Sequence, residues 1–192
     1  MTDNAFLDVN ALHMFYKNAA VSGHNTKMLN KEESDLTSVQ VRLFLPKGRK
    51  SVTKSNKGTI ADTEFLEVLN IKVGARCMII DNMDITDDLV NGQCGTVVGI
   101  ERNNKGEVFC IFVNFDDESC GQWQREKHKQ LSSKYKAQNG TPIFKVEKEF
   151  YLSSRHGRVH AAKAKLYQFP LRLAYAQTGH KMQVCFSSFV LL

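Results

Sequence analysis

The chain has 192 residues, 42% of them hydrophobic and 24% charged, with a formal net charge of +6. That composition excludes a disordered or low-complexity polymer and suits a soluble globular chain of one domain, or a core domain with a small one inserted. No run of about 18 apolar residues occurs, so no transmembrane helix and no membrane partner is expected, and the first ten residues lack the charged-then-apolar order of a signal peptide. The positive balance favours an acidic partner, of which nucleic acid is the commonest.

Along the chain, residues 5–30 carry apolar side chains at near-helical spacing (Leu12, Phe15, Ala19, Val21, Met28, Leu29), which predicts a helix with a short strand possible at its start. Residues 40–45 read as a strand. A loop follows from Pro46 to Gly58, holding Lys47, Arg49, Lys50, Lys54 and Lys57 and no acid. Thr63 is placed to cap a short helix running to Leu69. Residues 71–80 alternate and then turn continuously apolar, as a strand entering a core does. Asp81, Asp84, Asp87 and Asp88 follow; they lack the glycine and terminal glutamate of a calcium loop and read as a solvated turn.

Beyond Asn91 the texture becomes β-rich. Strands are predicted over residues 95–100, 108–115 and 145–152, with turn signals at residues 103–106 and 139–142, a rhythm that suits a small barrel better than a βαβ unit. Arg125, Lys127, Lys129, Lys134 and Lys136 lie in a polar stretch inside it. Trp123 and Tyr135 are aromatic enough to stack on bases, although partial burial against the barrel is the expectation for Trp123. From Arg155 onward there is no acid, and residues 171–176 form an apolar segment compatible with helix or strand.

The chemistry-bearing patterns are few. The phosphate-cradling string Gly-x-x-x-x-Gly-Lys-Ser/Thr is absent. His156 and His160 have the spacing of two ligands on one helical face but no third ligand nearby, so solvated histidines are expected. No Gly-x-Ser-x-Gly or comparable nucleophile motif is present. Cys77, Cys94, Cys110, Cys120 and Cys185 form no Cys-x-x-Cys pair, and reduced, buried thiols in an intracellular compartment are the expectation.

Three segments carry a family pattern. Residues 71–84 (Ile-Lys-Val-Gly-Ala-Arg-Cys-Met-Ile-Ile-Asp-Asn-Met-Asp) and 89–100 (Leu-Val-Asn-Gly-Gln-Cys-Gly-Thr-Val-Val-Gly-Ile) form the first. Residues 169–183 (Phe-Pro-Leu-Arg-Leu-Ala-Tyr-Ala-Gln-Thr-Gly-His-Lys-Met-Gln) form the second. A weaker third runs from Leu12 to Asn25, where Asn18, Val21, His24 and Asn25 coincide with the pattern. In this order and spacing the chain resembles the C-terminal part of superfamily-one DNA helicases of the Pif type, and is similar also to the RecD type. Met182 and Val184 depart from the family's serine and glycine, and the pattern stops after Gln183.

The resemblance implies an α/β fold: a partial RecA-like second motor domain built from residues 1–90 and 165–192, with an SH3-like β-barrel inserted at 91–164. Within it, Gly92 and Gly95 would serve a sharp reversal at positive φ. It implies ATP-driven 5′–3′ DNA unwinding, with ATP and Mg²⁺ as cofactors, in repair, recombination and telomere maintenance, in the nucleus or mitochondrion of a eukaryote. The phosphate loop and the final arginine motif of the family are missing, so no catalytic residue is assigned and the chain alone is expected to be inactive. What it would keep is a grip on single-stranded DNA through Thr178, His180, Lys181 and Gln183, with Asn18, His24, Asn25, Lys127 and Lys129 as further contacts. The absent N-terminal motor domain would be its second partner. The competing expectation is a free-standing basic β-barrel module that binds RNA or protein.

Overall fold

A computed structural model describes residues 12–45, 63–152, 162–178 and 189–191. Strand β1 (Leu12–Phe15) leads into helix α1 (Asn18–Leu29). The short strands β2 (Thr37–Gln40), β3 (Arg42–Phe44), β4 (Val68–Ile71) and β5 (Arg76–Ile79) come next. The middle of the chain holds the longer β6 (Cys94–Arg102) and β7 (Val108–Phe115), helices α2 (Gln122–Lys127) and α3 (Lys129–Ser132), and a 3₁₀ turn at Ser133–Gln138. Strands β8 (Thr141–Phe144), β9 (Val146–Leu152), β10 (Ala162–Gln168), β11 (Leu171–Leu173), β12 (Ala176–Thr178) and β13 (Phe189–Leu191) complete the set.

These strands form four sheets. The largest is antiparallel throughout, in the order β11-β5-β6-β7-β8. Its edge strands β11 and β8 are not hydrogen-bonded to each other, so no closed barrel is formed among the described residues. It draws β5 and β11 from either side of the stretch 91–164, within which β6, β7 and β8 lie. A second antiparallel sheet has the order β3-β10-β9, and β2 pairs with β4. The remaining sheet is different in kind: β12-β1-β13 is parallel, and joins the start of the chain to its end.

One core cluster runs from Leu29 of α1 through Val39, Leu69 and Ile71 to Val97, Ile111, Val113 and Ile143 of the large sheet. A second gathers Leu12, Phe65, Met78, Ile80, Phe150 and Leu166. The alternating in-and-out pattern of β2 and β4 places Leu69 and Ile71 fully inside while Val68 and Asn70 face out.

The middle strands fall close to their predicted positions. Elsewhere tertiary pairing alters the local expectation. Residues 63–69 are not helical. Glu64 sits at φ +65, a left-handed conformation that ends a helix before it starts, and Val68–Ile71 is claimed by pairing with Thr37–Gln40. The Thr63 hydroxyl accepts a bond from the Phe65 amide at 3.4 Å and so closes a local turn. The strand expected at 71–80 is split by a turn at Gly74 (φ +92). The one expected at 40–45 breaks at Val41, whose amide donates to Glu67 O at 2.8 Å while β3 joins another sheet. The segment 171–176 is extended rather than helical, but it divides between two sheets: β11 ends at Leu173 and β12 begins at Ala176. Of the two glycines expected at positive φ, Gly92 is (φ +101), whereas Gly95 is not. It is a glycine because a Cβ there would meet Asn114 O at 2.5 Å and Phe115 Cα at 2.9 Å.

The acidic turn is also more than solvated. Asp87 is 3% exposed, and its carboxylate accepts from the amides of Trp123 and Gln124, each at 2.8 Å, which ties residues 81–89 to the start of α2. The four described cysteines are buried and free, as expected. Burial pushes the thiols of Cys77, Cys110 and Cys120 up to about 12, so they stay protonated and unreactive. Cys185, like the basic loop at 46–58 and the pair His156 and His160, lies outside the described residues.

Candidate nucleic-acid interface

The parallel sheet organises the candidate site. β12 is short and polar in sequence, Ala176-Gln177-Thr178, yet all three residues are buried because β1 pairs along one side of it. Helix α1 has little intrinsic tendency to form, since Val21, Gly23 and Thr26 interrupt it, and no side chain caps its start. It is held by its docking. The Asn25 amide reads the β12 backbone in both directions: Oδ1 accepts from Ala176 N at 2.8 Å and Nδ2 donates to Ala176 O at 3.2 Å. The residue before β12 is fixed too, because Tyr175 donates its hydroxyl to Glu32 at 2.9 Å and its carbonyl accepts from His13 N at 2.9 Å. Burial of that phenol raises its pKa, so it remains a donor.

Between α1, β12 and residues 64–70 opens a cleft of about 690 Å³. Asn18, Asn25, Arg172, Gln177 and Thr178 line it, and Phe65 and Leu66 supply an apolar wall. Three residues expected to contact nucleic acid, Asn18, Asn25 and Thr178, therefore share one cavity although they come from opposite ends of the sequence. Thr178 is 9% exposed at the strand's end. His180, Lys181 and Gln183 lie outside the described residues.

The remaining expected contacts lie elsewhere. His24 does not line the cleft; its ring packs 4.6 Å from that of His13 and 5.2 Å from that of Phe15. Lys127 and Lys129 stand on the two short helices after β7, and Lys129 pairs with Glu126 at 2.9 Å on the exposed surface. Trp123 is 76% exposed rather than half-covered, because the Asp87 cap sets the start of α2 on the rim of the sheet. Tyr135, by contrast, stacks on Phe112 with centroids 4.3 Å apart. Two features were not legible beforehand: Arg172 as a lining residue of the cleft, and Asn25 as a bracket for the β12 backbone. The only sequence signal for the second was that both partners fall in patterned segments.

The histidine pair carries a pH dependence. His13 Nδ1 and His24 Nε2 are buried without a hydrogen-bond partner among the described residues; burial lowers both pKa values below 6.5, helped at His24 by the charge of His13 and then by those of Lys27 and Lys31. The unfolded chain therefore binds more protons than the folded one as pH falls below about 6.5. Stability should be full near pH 7.5 and decline toward pH 5. Urea midpoints at the two values check this; a His13→Leu/His24→Leu variant with an unchanged pH slope would show that the pair is not responsible.

Against known proteins, no family profile matches the chain. An ATP-dependent DNA helicase PIF1 from Danio rerio is 29% identical over 123 residues, which is 64% of this chain and 15% of that protein. A Pif1 helicase from Bacteroides, crystallised as a double mutant, superposes with a TM-score of 0.61 at 20% identity, over 96% of this chain and 34% of that one. The Candida albicans Pif1 helicase gives 0.61 at 20% identity over 94% and 39%. Bacteroides Pif1 in complex with ADP-AlF3 and ssDNA gives 0.60 at 18% over 99% and 36%. The fold is that of part of a helicase. Within that class the likeness is to one type: in sequence and fold the chain is similar to the C-terminal portion of Pif1 helicases. It spans 15% of the curated relative's length and about a third of the crystallised ones. No helix among the described residues is long and apolar enough to cross a membrane.

Proposed function

We propose that this chain is part of an ATP-dependent 5′–3′ DNA helicase of the Pif type and that it grips single-stranded DNA through the α1–β12 cleft. In this reading residues 1–90 and 165–192 contribute to a second RecA-like motor domain, and residues 91–164 to an inserted SH3-like barrel. The observation that carries it is the convergence of Asn18, Asn25 and Thr178, from the two ends of the sequence, on one cavity. One of the similar Pif1 structures was solved with ssDNA, which supports the assignment of partner.

In this reading ATP and Mg²⁺ serve the motor completed together with an N-terminal motor domain, because the phosphate-cradling string does not occur in this sequence. The cellular work, unwinding in repair, recombination and telomere maintenance in the nucleus or mitochondrion, follows from the same reading.

Fluorescence anisotropy of a labelled single-stranded oligonucleotide across a salt series tests the grip. Binding should weaken steeply with salt, and a His180→Ala/Lys181→Ala variant should bind about tenfold more weakly with a salt slope shallower by roughly one. Equal binding by the variant would instead favour a basic module whose contacts lie elsewhere.

A further inference from the structure

The sheet β3-β10-β9 has one covered face and one open face. Phe150, Ala164, Leu166 and Gln168 point inward, and the residues between them point outward. Pairing places the outward residues in rows: Tyr151 beside Lys163; Glu149, Lys165 and Phe44; then Glu147, Tyr167 and Arg42. Three aromatic rings thus stand on the open face. Tyr151 is 61% exposed, Phe44 48% and Tyr167 37%. Rows on one face of a sheet repeat at about 6.6 Å and adjacent strands at about 4.8 Å. The rings are therefore spread along the sheet, alternating with cations, rather than packed into one apolar patch.

The charges are held but not consumed. Lys163 pairs with Glu149 and Lys165 with Glu147, each at 2.5 Å, and Arg42 lies 3.7 Å from Glu107. All six side chains are substantially exposed, and exposed ion pairs of this kind exchange partners at little cost, so a phosphate can replace a carboxylate.

We infer that this open face is a stacking platform for single-stranded nucleic acid, in which bases lie on Phe44, Tyr151 and Tyr167 while Arg42, Lys163 and Lys165 take the phosphates. Exposed aromatics interleaved with cations are what a single strand requires: every base has a face to stack, and its backbone needs positive charge. The platform is separate from the α1–β12 cleft, since none of its residues lines that cavity. The inference rests on the proposed function in taking the same partner, and extends its path over a second sheet.

The test is anisotropy of a labelled oligo-dT with the full chain, comparing wild type with Tyr151→Ala/Tyr167→Ala, Tyr151→Phe/Tyr167→Phe and the His180→Ala/Lys181→Ala variant. The alanine pair should weaken binding about tenfold with an unchanged salt slope, because stacking releases no counterions. The phenylalanine pair should bind as wild type, since the rings remain, and would expose any loss caused by misfolding. Wild-type binding that the alanine pair leaves intact overturns the platform while leaving the cleft reading standing. No binding by the wild type at low salt overturns both. A dimer that the alanine pair dissolves, seen by light scattering, would assign the face to a second copy and overturn the platform.

Discussion

Replacing Phe112 by alanine should destabilise the protein by about 3–5 kcal/mol, the range seen when a fully buried aromatic is emptied from a core. Phe112 is inaccessible to solvent in the centre of β7, on the face of the large sheet opposite Ile111 and Val113. Its cover is thin: the Tyr135 ring stacks on it at 4.3 Å, held in place by a bond of 2.6 Å from its hydroxyl to Glu101. Gly99 and Gly140 make room for that ring, since a Cβ at either would collide with Tyr135. The backbone of the 3₁₀ turn cannot follow the lost side chain down, so the void persists. A domain of this size has about 5–15 kcal/mol in all, so the variant should be near the limit of folding. Urea denaturation measures it, and Phe112→Leu should cost clearly less. A loss under about 1 kcal/mol for the alanine would mean that Tyr135 collapses into the space.

Gly95→Ala should cost about 3 kcal/mol, the upper part of the range for forcing atoms into a packed interior. Gly95 lies in β6, paired on one side with Cys77 and on the other with Phe115. The atoms that an added methyl would meet are mainly main chain, Asn114 O at 2.5 Å and Phe115 Cα at 2.9 Å, and these cannot rotate away. Relief requires β6 and β7 to separate, which breaks ladder bonds in the middle of the five-stranded sheet. Thermal melting of the variant beside Gly106→Ala gives the comparison. A Cβ at Gly106 meets nothing, and its cost comes from φ +77 alone, so it should be the milder change. Equal melting temperatures would refute the steric account.

These two positions show what the sequence made readable. β6 and β7 could be placed because their apolar runs are long and bounded by turn residues, and that Gly95 mattered could be seen from its motif. The reason could not be seen: a glycine required by a neighbouring strand looks identical in sequence to one required by a turn. Val68–Ile71 was hidden for a related reason, since its local pattern of Thr63, Phe65, Leu66 and Leu69 fits a helix start and only the partner strand β2 decides otherwise. Asp87 looked like one of four solvated acids, because nothing local reveals that its carboxylate faces two amides 36 and 37 residues away. In the candidate site, Asn18, Asn25 and Thr178 were legible as members of patterned segments. Their meeting in one cleft depends on the parallel pairing of β1 with β12, a contact that periodicity cannot report.

That pairing also orders events in time. During synthesis β1 emerges long before both of its partners, β12 and β13, and before the whole meander between them. The meander β6-β7-β8 needs only its neighbours in sequence and can close while the tail is still being added. Strand β1 and helix α1 must wait for β12, so the cleft assembles after the meander. A ribosome stalled before residue 176 would hold a protease-resistant meander and a protease-sensitive β1 and α1, and synthesis through β12 and β13 would protect both.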